Sequence, residues 1–325
     1  MSSLSTPRVK PPALQQGDTI GVVAPASNVN RNNLHAGCEA LRRAGYRPFY
    51  LNSILDKDLY FAGSLQRRVQ ELEETFVRED VRAIVCARGG YGANYLLEAL
   101  DLEKIKANPK IFVGYSDLTC LLTYFSDVLG LMTFHGPMVA KDWAHDAGVD
   151  MASWTSALTL PEAWEVNLGA GSGATGLVDG AAEGILYGGC LSILVASLGT
   201  PYEIKTANTI LFLEDVAAKP FQIDRMLMQL KLAGKLDDVR GIVFGEMLDC
   251  RQTANVANQR YTLEEVALRI VGELGIPVAY GVRSGHVTTG NITLPIGVRA
   301  GLTVRGGQVS LKILEGAVTA APGKI

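Results

Sequence analysis

The chain is organised around the stretch Lys110-Ile-Phe-Val-Gly-Tyr-Ser-Asp-Leu-Thr-Cys-Leu-Leu-Thr-Tyr-Phe125. Ile111-Phe-Val113 is a short apolar run, the pattern of a buried strand. Leu118, Leu121, Leu122 and Phe125 follow at helical spacing and mark one face of an amphipathic helix. Between the two lies Gly114-Tyr-Ser-Asp117, a tight strand-to-helix turn with a serine in it. A serine there has two readings. As a helix N-cap its oxygen accepts a backbone N–H. As a nucleophile elbow its hydroxyl stands clear of the backbone, and the helix N-terminus offers N–H groups to a developing oxyanion. Gly-x-Ser is present, but Leu118 replaces the second glycine of Gly-x-Ser-x-Gly, so this stretch alone leaves both readings open.

Upstream, apolar strands alternate with helical patterns. Thr19–Ser27 reads as a strand, Asn28–Ala44 as a helix stopped by Gly45, and Pro48–Leu51 as a second strand. Ser64–Asp80 reads as a helix capped by Ser64, and Val81–Ala87 as a third strand. Arg88-Gly-Gly-Tyr-Gly92 follows, then a helix over Ala93–Leu100. This alternation predicts an α/β fold whose N-terminal domain has a parallel sheet with flanking helices. Sites in such sheets gather at the carboxyl ends of the strands. Ala24–Ser27, Arg88–Gly92 and Tyr115–Asp117 all fall at such ends, which favours the nucleophile reading of Ser116.

From Lys141 to Gly176 the periodicity weakens, with Trp143, Trp154 and Trp164 in this region. In the second half Gly184–Ser192 reads as the opening of a helix that runs to Leu198. Thr209–Leu213 is a strand ending in Glu214-Asp215, Phe221–Ala233 a helix, Gly241–Gly245 a strand and Thr262–Leu274 a helix. Pro277–Tyr280 is a strand leading to Gly281–His286, and Asn291–Leu314 reads as a β meander. The expected division is an N-terminal α/β domain over residues 1–145, a connector over 146–180, and a C-terminal α/β domain with a terminal β meander over 181–325.

Composition narrows the function. The chain of 325 residues is 48% hydrophobic and 19% charged, which is globular. A net charge of −3 and a pI near 5.9 give no electrostatic footprint for nucleic acid or an anionic membrane. The five scattered cysteines make neither a disulfide framework nor a zinc site. With no apolar leader at Met1–Pro12 and no run long enough to span a bilayer, the expected location is the cytoplasm. Neither a metal nor a cofactor is expected, since metal spacing, a Walker loop and Gly-x-Gly-x-x-Gly after the first strand are all missing.

A serine nucleophile needs a base in reach and a group that orients the base. Of four histidines, His286 lies among small polar residues after a strand and is the best base; His135, beside Gly136-Pro137, is its rival. Glu214, just past a buried strand, is the best orienting acid, with Asp215 adjacent and equally allowed by spacing. Ser…Glu…His is the order used by α/β-hydrolases. Arg88-Gly-Gly-Tyr-Gly92 suits an oxyanion loop, because glycines let backbone N–H groups approach a ligand; a phosphate cradle is the alternative. Within it Arg88, Gly89 and Tyr91 are candidate substrate-binding residues, and the Arg88 guanidinium is suited to a carboxylate.

The same segments resemble the LD-carboxypeptidases (muramoyltetrapeptide carboxypeptidases), a serine peptidase family that includes the microcin C self-immunity peptidases. The resemblance is carried by Gly17–Ser27, Ala87–Gly92, Val113–Asp117, His135-Gly-Pro137, Gly188-Gly189, Leu213-Glu-Asp215, Gln222-Ile-Asp-Arg225, Gly285-His286 and Leu294-Pro-Ile-Gly297, in that order. It implies that Ser116 is the nucleophile, Glu214 the acid and His286 the base, with oxyanion donors near Gly90 and Asp117. It implies hydrolysis of an amide between an L centre and a terminal D-amino acid, with a cytoplasmic murein tetrapeptide as substrate, and a homodimer. Cys190 stands where relatives often carry Asn after Gly-Gly, which leaves that wall of the cleft open. Two other functions compete. One is an immunity-type peptidase for peptidyl-nucleotide or acyl-sulfamoyl conjugates, for which Trp143, Trp154 or Trp164 would stack on a base. The other is a non-catalytic ligand-binding protein.

Overall fold

The structure, a computed structural model, describes residues 7–168, 173–251 and 261–321. The chain divides into two compact units. The first comprises Met1–Glu162, Thr289–Gly297 and Gly316–Ile325, and the second Ala163–Thr288 and Val298–Glu315. Residues 146–162 fall in the first unit and residues 163–180 in the second.

In the first unit, buried apolar runs form β1 (Thr19–Val23), β3 (Val81–Cys86) and β4 (Ile111–Gly114), with β2 (Arg47–Phe49) beside β1 and β5 (Thr133–His135) beside β4. These strands pair in parallel. Leu294–Ile296, from late in the chain, adds antiparallel to β5 and completes a six-stranded sheet. The helices are α1 (Arg31–Arg43), α2 (Leu65–Val77), α3 (Leu102–Ala107), α4 (Thr119–Leu129) and α5 (Met151–Thr159). Their starts follow capping chemistry. The Asn30 carboxamide oxygen accepts from the Asn32 and Asn33 N–H groups, and Ser64 Oγ accepts from Arg67 N–H. The helix expected over Ala93–Leu100 is one 3₁₀ turn, Ala93–Leu96.

Phe76 of α2, Phe112 of β4 and Phe125 of α4 are fully buried and pack as a triplet, with ring centroids 5.2–6.0 Å apart. This core seats α2 and α4 beside β4. Trp143 and Trp154 are buried in the same unit, ring to ring at 5.0 Å. They are core residues here and have no free face to stack on a base. Trp164 lies half-buried in β6 (Trp164–Glu165) of the second unit.

The second unit continues with β7 (Thr175–Val178), β8 (Gly180–Cys190), α6 (Leu191–Ala196), β9 (Thr209–Glu214) and α7 (Pro220–Leu232). After these come β10 (Gly241–Gly245), α8 (Leu263–Val271) and β11 (Val278–Val282). The Leu294–Ile296 strand of the first unit is β12; β13 (Arg299–Arg305) and β14 (Gln308–Ile313) close the second. The sheet order is β6-β14-β13-β8-β9-β10-β11-β7. Its centre, β8 to β11, is parallel, and its flanks are antiparallel.

Two further features depart from the sequence expectation. Gly184–Cys190 does not open a helix. It is the second half of β8, paired to β9 from Ile185 to Cys190, while β13 pairs with the first half from Gly180 to Ile185, and α6 begins only at Leu191. Backbone pairing with β9 outweighs the local helical pattern. The terminal run of strands also splits, with β12 going to the first sheet and the β13–β14 hairpin to the second. Among the described residues, no helix is long and apolar enough to cross a membrane.

Phe125→Ala removes a ring from the centre of the first unit's core. It is expected to lower stability by about 3–5 kcal/mol, read as a fall in the urea midpoint of that unit.

Candidate active site

The first unit presents Ser116 where β4 gives way to α4. Tyr115 is extended, and Ser116 sits at φ +64°, a left-handed conformation that is uncommon for a residue with a side chain. Its hydroxyl caps nothing. The residues in the cap positions of the 3₁₀ turn and of α4 are Tyr115 and Leu118, and neither start has a side-chain cap. The N-cap reading is thereby set aside, and the geometry is that of an elbow holding a half-buried hydroxyl clear of its helix.

The glycine-rich turn after β3 lies against this elbow. A Cβ at Gly89 would fall 2.8 Å from Ser116 Cβ, 3.1 Å from Ser116 Oγ and 3.3 Å from the Asp117 nitrogen. Glycine at 89 therefore leaves space for a ligand atom beside both the hydroxyl and the Asp117 backbone nitrogen. Ser27, at the carboxyl end of β1, steadies the turn by accepting the Tyr91 N–H at 3.0 Å. Arg88 is exposed and donates to the Asn28 carbonyl at 3.3 Å. The exposed ring of Tyr91 stacks on Phe61 at 6.0 Å.

The Asp117 side chain turns away from the hydroxyl and accepts the Ala93 N–H at 2.8 Å. Burial pushes its carboxyl from 3.8 up to about 6, opposed by the Ala93 N–H, the Arg68 charge and the Gly92 backbone. The folded chain therefore holds this proton to a higher pH than a free carboxyl would.

The second unit presents a carboxylate–imidazole pair. Glu214 ends β9 and is 1% exposed. Its Oε2 lies 2.7 Å from His286 Nδ1 and also accepts the His286 backbone N–H at 3.0 Å. A carboxylate oxygen only accepts, so Nδ1 carries the proton and Nε2 is left as the basic nitrogen. Asp215, the alternative acid, is engaged elsewhere: its oxygens accept the Val216 and Ser192 N–H groups at 2.8 Å each. His135, the alternative base, is a fully buried strand residue 5.8 Å from the Tyr115 ring. Gly285 makes the Glu214–His286 approach possible. Its φ is +93°, and a Cβ there would lie 2.5–2.8 Å from the Glu214 carboxyl group.

Cys190 pairs in register with Glu214 across β8 and β9. Burial, then the charges of Glu214 and Asp215, push its thiol well above the ordinary range, so it stays neutral; its sulfur lies 3.4 Å from Ser192 Oγ. Among the described residues, no group of His, Cys, Asp and Glu is arranged to hold a metal ion.

Sequence reasoning passed over Arg68, which lies buried beneath the Gly-rich turn. The signal was there: Arg68 and Glu71 are charged residues on the face of α2 that also buries Leu72 and Phe76.

Comparison with known proteins places this geometry. The LD-carboxypeptidase N-terminal domain family matches residues 20–136, and the LD-carboxypeptidase C-terminal domain family matches residues 183–302. A Bacillus subtilis protein named "Probable murein peptide carboxypeptidase" is 37% identical over 90% of this chain and 91% of its own length. The solved structure of the microcin C7 self-immunity protein MccF in complex with aspartyl sulfamoyl adenosine superposes with a TM-score of 0.83 at 27% identity, covering 96% of this chain and 100% of that one. The muramoyltetrapeptide carboxypeptidase from Oxalobacter formigenes superposes with a TM-score of 0.80 at 28% identity, covering 94% and 100%. The chain belongs to the LD-carboxypeptidase family and is a serine-type peptidase.

Two outcomes follow from the geometry. Because the folded carboxyl of Asp117 titrates near 6 rather than 3.8, its contribution to stability is complete below pH 3.8 and is lost as pH rises through 6. Asp117→Asn is therefore expected to gain stability relative to the parent as pH goes from 4 to 7, measured by urea unfolding across that range. Gly285→Ala is expected to drive Glu214 off His286 and lower peptidase turnover by about a hundredfold or more, with far-ultraviolet circular dichroism unchanged.

Proposed function

We propose that this chain is a carboxypeptidase that hydrolyses the L,D amide bond before a terminal D-alanine in murein tetrapeptides. The observation that carries the reading is the Ser116 hydroxyl, held in a left-handed elbow with the space left by Gly89 beside it and the Asp117 nitrogen. The names of the Bacillus subtilis and Oxalobacter formigenes relatives support a murein peptide as the substrate class.

In this mechanism His286 Nε2 takes the Ser116 proton as Oγ attacks the carbonyl carbon. Glu214 holds the imidazole through Nδ1 and stabilises the imidazolium that forms. The backbone N–H groups of Gly90 and Asp117 receive the oxyanion; loss of one such donor costs roughly 2.7–4 kcal/mol. The imidazolium gives its proton to the leaving amine and D-alanine departs. Water, activated by the same imidazole, then releases the acyl group from Ser116. Arg88 supplies a guanidinium for the terminal carboxylate, and Gly89 and Tyr91 line the substrate beside it. The family resemblance extends the proposal to a cytoplasmic homodimer.

An aminoacyl-sulfamoyl nucleoside is the competing substrate, as bound to the self-immunity relative. The burial of Trp143 and Trp154 against each other argues for the peptide, because neither ring is free to hold a base.

The test is D-alanine release from tetrapeptides with L-lysine or diaminopimelate at the third position, run beside hydrolysis of aspartyl sulfamoyl adenosine. Release from a tetrapeptide is expected, with turnover abolished in Ser116→Ala. No D-alanine from either peptide, with the nucleoside cleaved, would overturn the substrate assignment. Gly89→Ala brings a Cβ to 2.8 Å from Ser116 Cβ and 3.1 Å from its Oγ, so it is expected to displace the elbow and lower kcat by about a hundredfold or more.

A further inference from the structure

We propose that Arg68 and the Asp117 carboxyl group form a positioning pair that sets the oxyanion loop against the nucleophile by holding one peptide bond from both ends. The inference rests on the reading of Ser116 as nucleophile.

The peptide bond is Gly92–Ala93. Its carbonyl accepts from Arg68 Nη1 at 2.7 Å, and its N–H donates to Asp117 Oδ2 at 2.8 Å. A peptide unit is planar, so fixing both of its polar atoms fixes the orientation of the whole unit. The two holding groups come from different places. Arg68 lies in the middle of α2, and Asp117 is the residue next to Ser116. The loop that runs back from Gly92 through Gly90 to Gly89 is thereby tied to the elbow itself.

Arg68 is built for this purpose. It is 2% exposed, and the same Nη1 also donates to the Pro25 carbonyl at 2.9 Å, at the end of β1. Its guanidinium lies 4.7 Å from the Phe61 ring centroid. It is not the ion-pair partner of Glu71 on the same helix; Arg67 fills that role. A buried guanidinium that bonds two loop carbonyls orients strand ends, because its planar fork fixes the direction of each donor. Gly92 is shaped around it: φ is +115°, and a Cβ there would lie 3.1 Å from Arg68 Nη1 and 2.5 Å from the Phe61 ring. The Arg68 charge also favours the ionised form of Asp117, which is the stronger acceptor for the Ala93 N–H.

Without this pair the Gly92–Ala93 peptide is free to rotate about its flanking bonds and carry the Gly90 N–H away from the oxyanion. The loss is one of transition-state stabilisation, so it falls on kcat and leaves KM nearly unchanged. Neither side chain touches the reacting atoms.

The experiment compares Arg68→Met, Arg68→Lys, Asp117→Ala, Asp117→Asn and the double variant Arg68→Met/Asp117→Ala. Two readouts are taken: steady-state D-alanine release from the tetrapeptide, and the rate at which a fluorophosphonate labels Ser116. Arg68→Met and Asp117→Ala are each expected to lower kcat by about ten- to a hundredfold, with KM within about twofold and labelling slowed in parallel. The double variant should be no slower than the slower single, because both release the same peptide; independent effects would multiply. Asp117→Asn, which keeps an acceptor oxygen, should recover most of the rate. Arg68→Lys keeps the charge but lacks the planar fork, and should resemble Arg68→Met even where the methionine variant folds poorly. Labelling of either Arg68 variant at the parent rate, or multiplicative losses in the double variant, would overturn the proposal. A parent protein labelled at Ser116 that releases no D-alanine sinks only the substrate assignment, and labelling still decides the role of Arg68. A parent that is not labelled at Ser116 overturns the nucleophile reading and the positioning pair together.

Discussion

The left-handed backbone at Ser116 is the constraint on which the first unit's architecture turns. An L residue with a side chain in that region carries a cost of roughly 1–2 kcal/mol, so the surroundings must over-determine it. They do so from both sides. β4 is held between β3 and β5 up to the turn, and α4 is anchored by Phe125 in the aromatic core directly after it. The peptide between them has nowhere else to go. The result is a hydroxyl displaced from the capping position that serine ordinarily takes, beside a glycine whose missing side chain is the open space.

Charge is placed in both units by one rule: a buried carboxyl group is kept only where backbone donors or a cation meet it. Asp117 accepts from Ala93 N–H, Glu71 from Ala24 N–H and from Arg67, Asp142 from Met138 N–H, and Asp215 from two backbone N–H groups. Burial still raises the affinity of Glu71 for its proton, to about 7, despite these partners. Glu214 differs in what it meets. One of its oxygens takes both the backbone N–H and the ring nitrogen of His286, so the acid orients an imidazole rather than closing a loop. Asp215, one residue on, has identical chemistry and a structural task.

Much of the proposed site was legible residue by residue. Ser116, Glu214 and His286 stand at strand ends, and an α/β sheet leaves few other places for chemistry. The order of short motifs identified the family. The alternatives left open on spacing, His135 against His286 and Glu214 against Asp215, needed coordinates, because adjacent residues on a chain differ only in which way their side chains point. Arg68 was harder. A charged residue on an apolar helix face is visible in the sequence, but its partners are carbonyls 24 and 43 residues away. The tryptophans were open to a base-stacking role; two of them are core, packed by contacts that no local pattern records.

By itself, the sequence determined the alternation of strands and helices, the cap at Ser64, the glycine-rich turn and the family. All of these are set by local propensity or by the order of residues along the chain. Only the tertiary structure decided that Gly184–Cys190 is strand, that β12 belongs to the first sheet, that Ser116 is an elbow and not a cap, and that one peptide bond is gripped by Arg68 and Asp117. These outcomes depend on backbone hydrogen bonds between distant segments, and a buried donor or acceptor takes the partner that the fold brings to it.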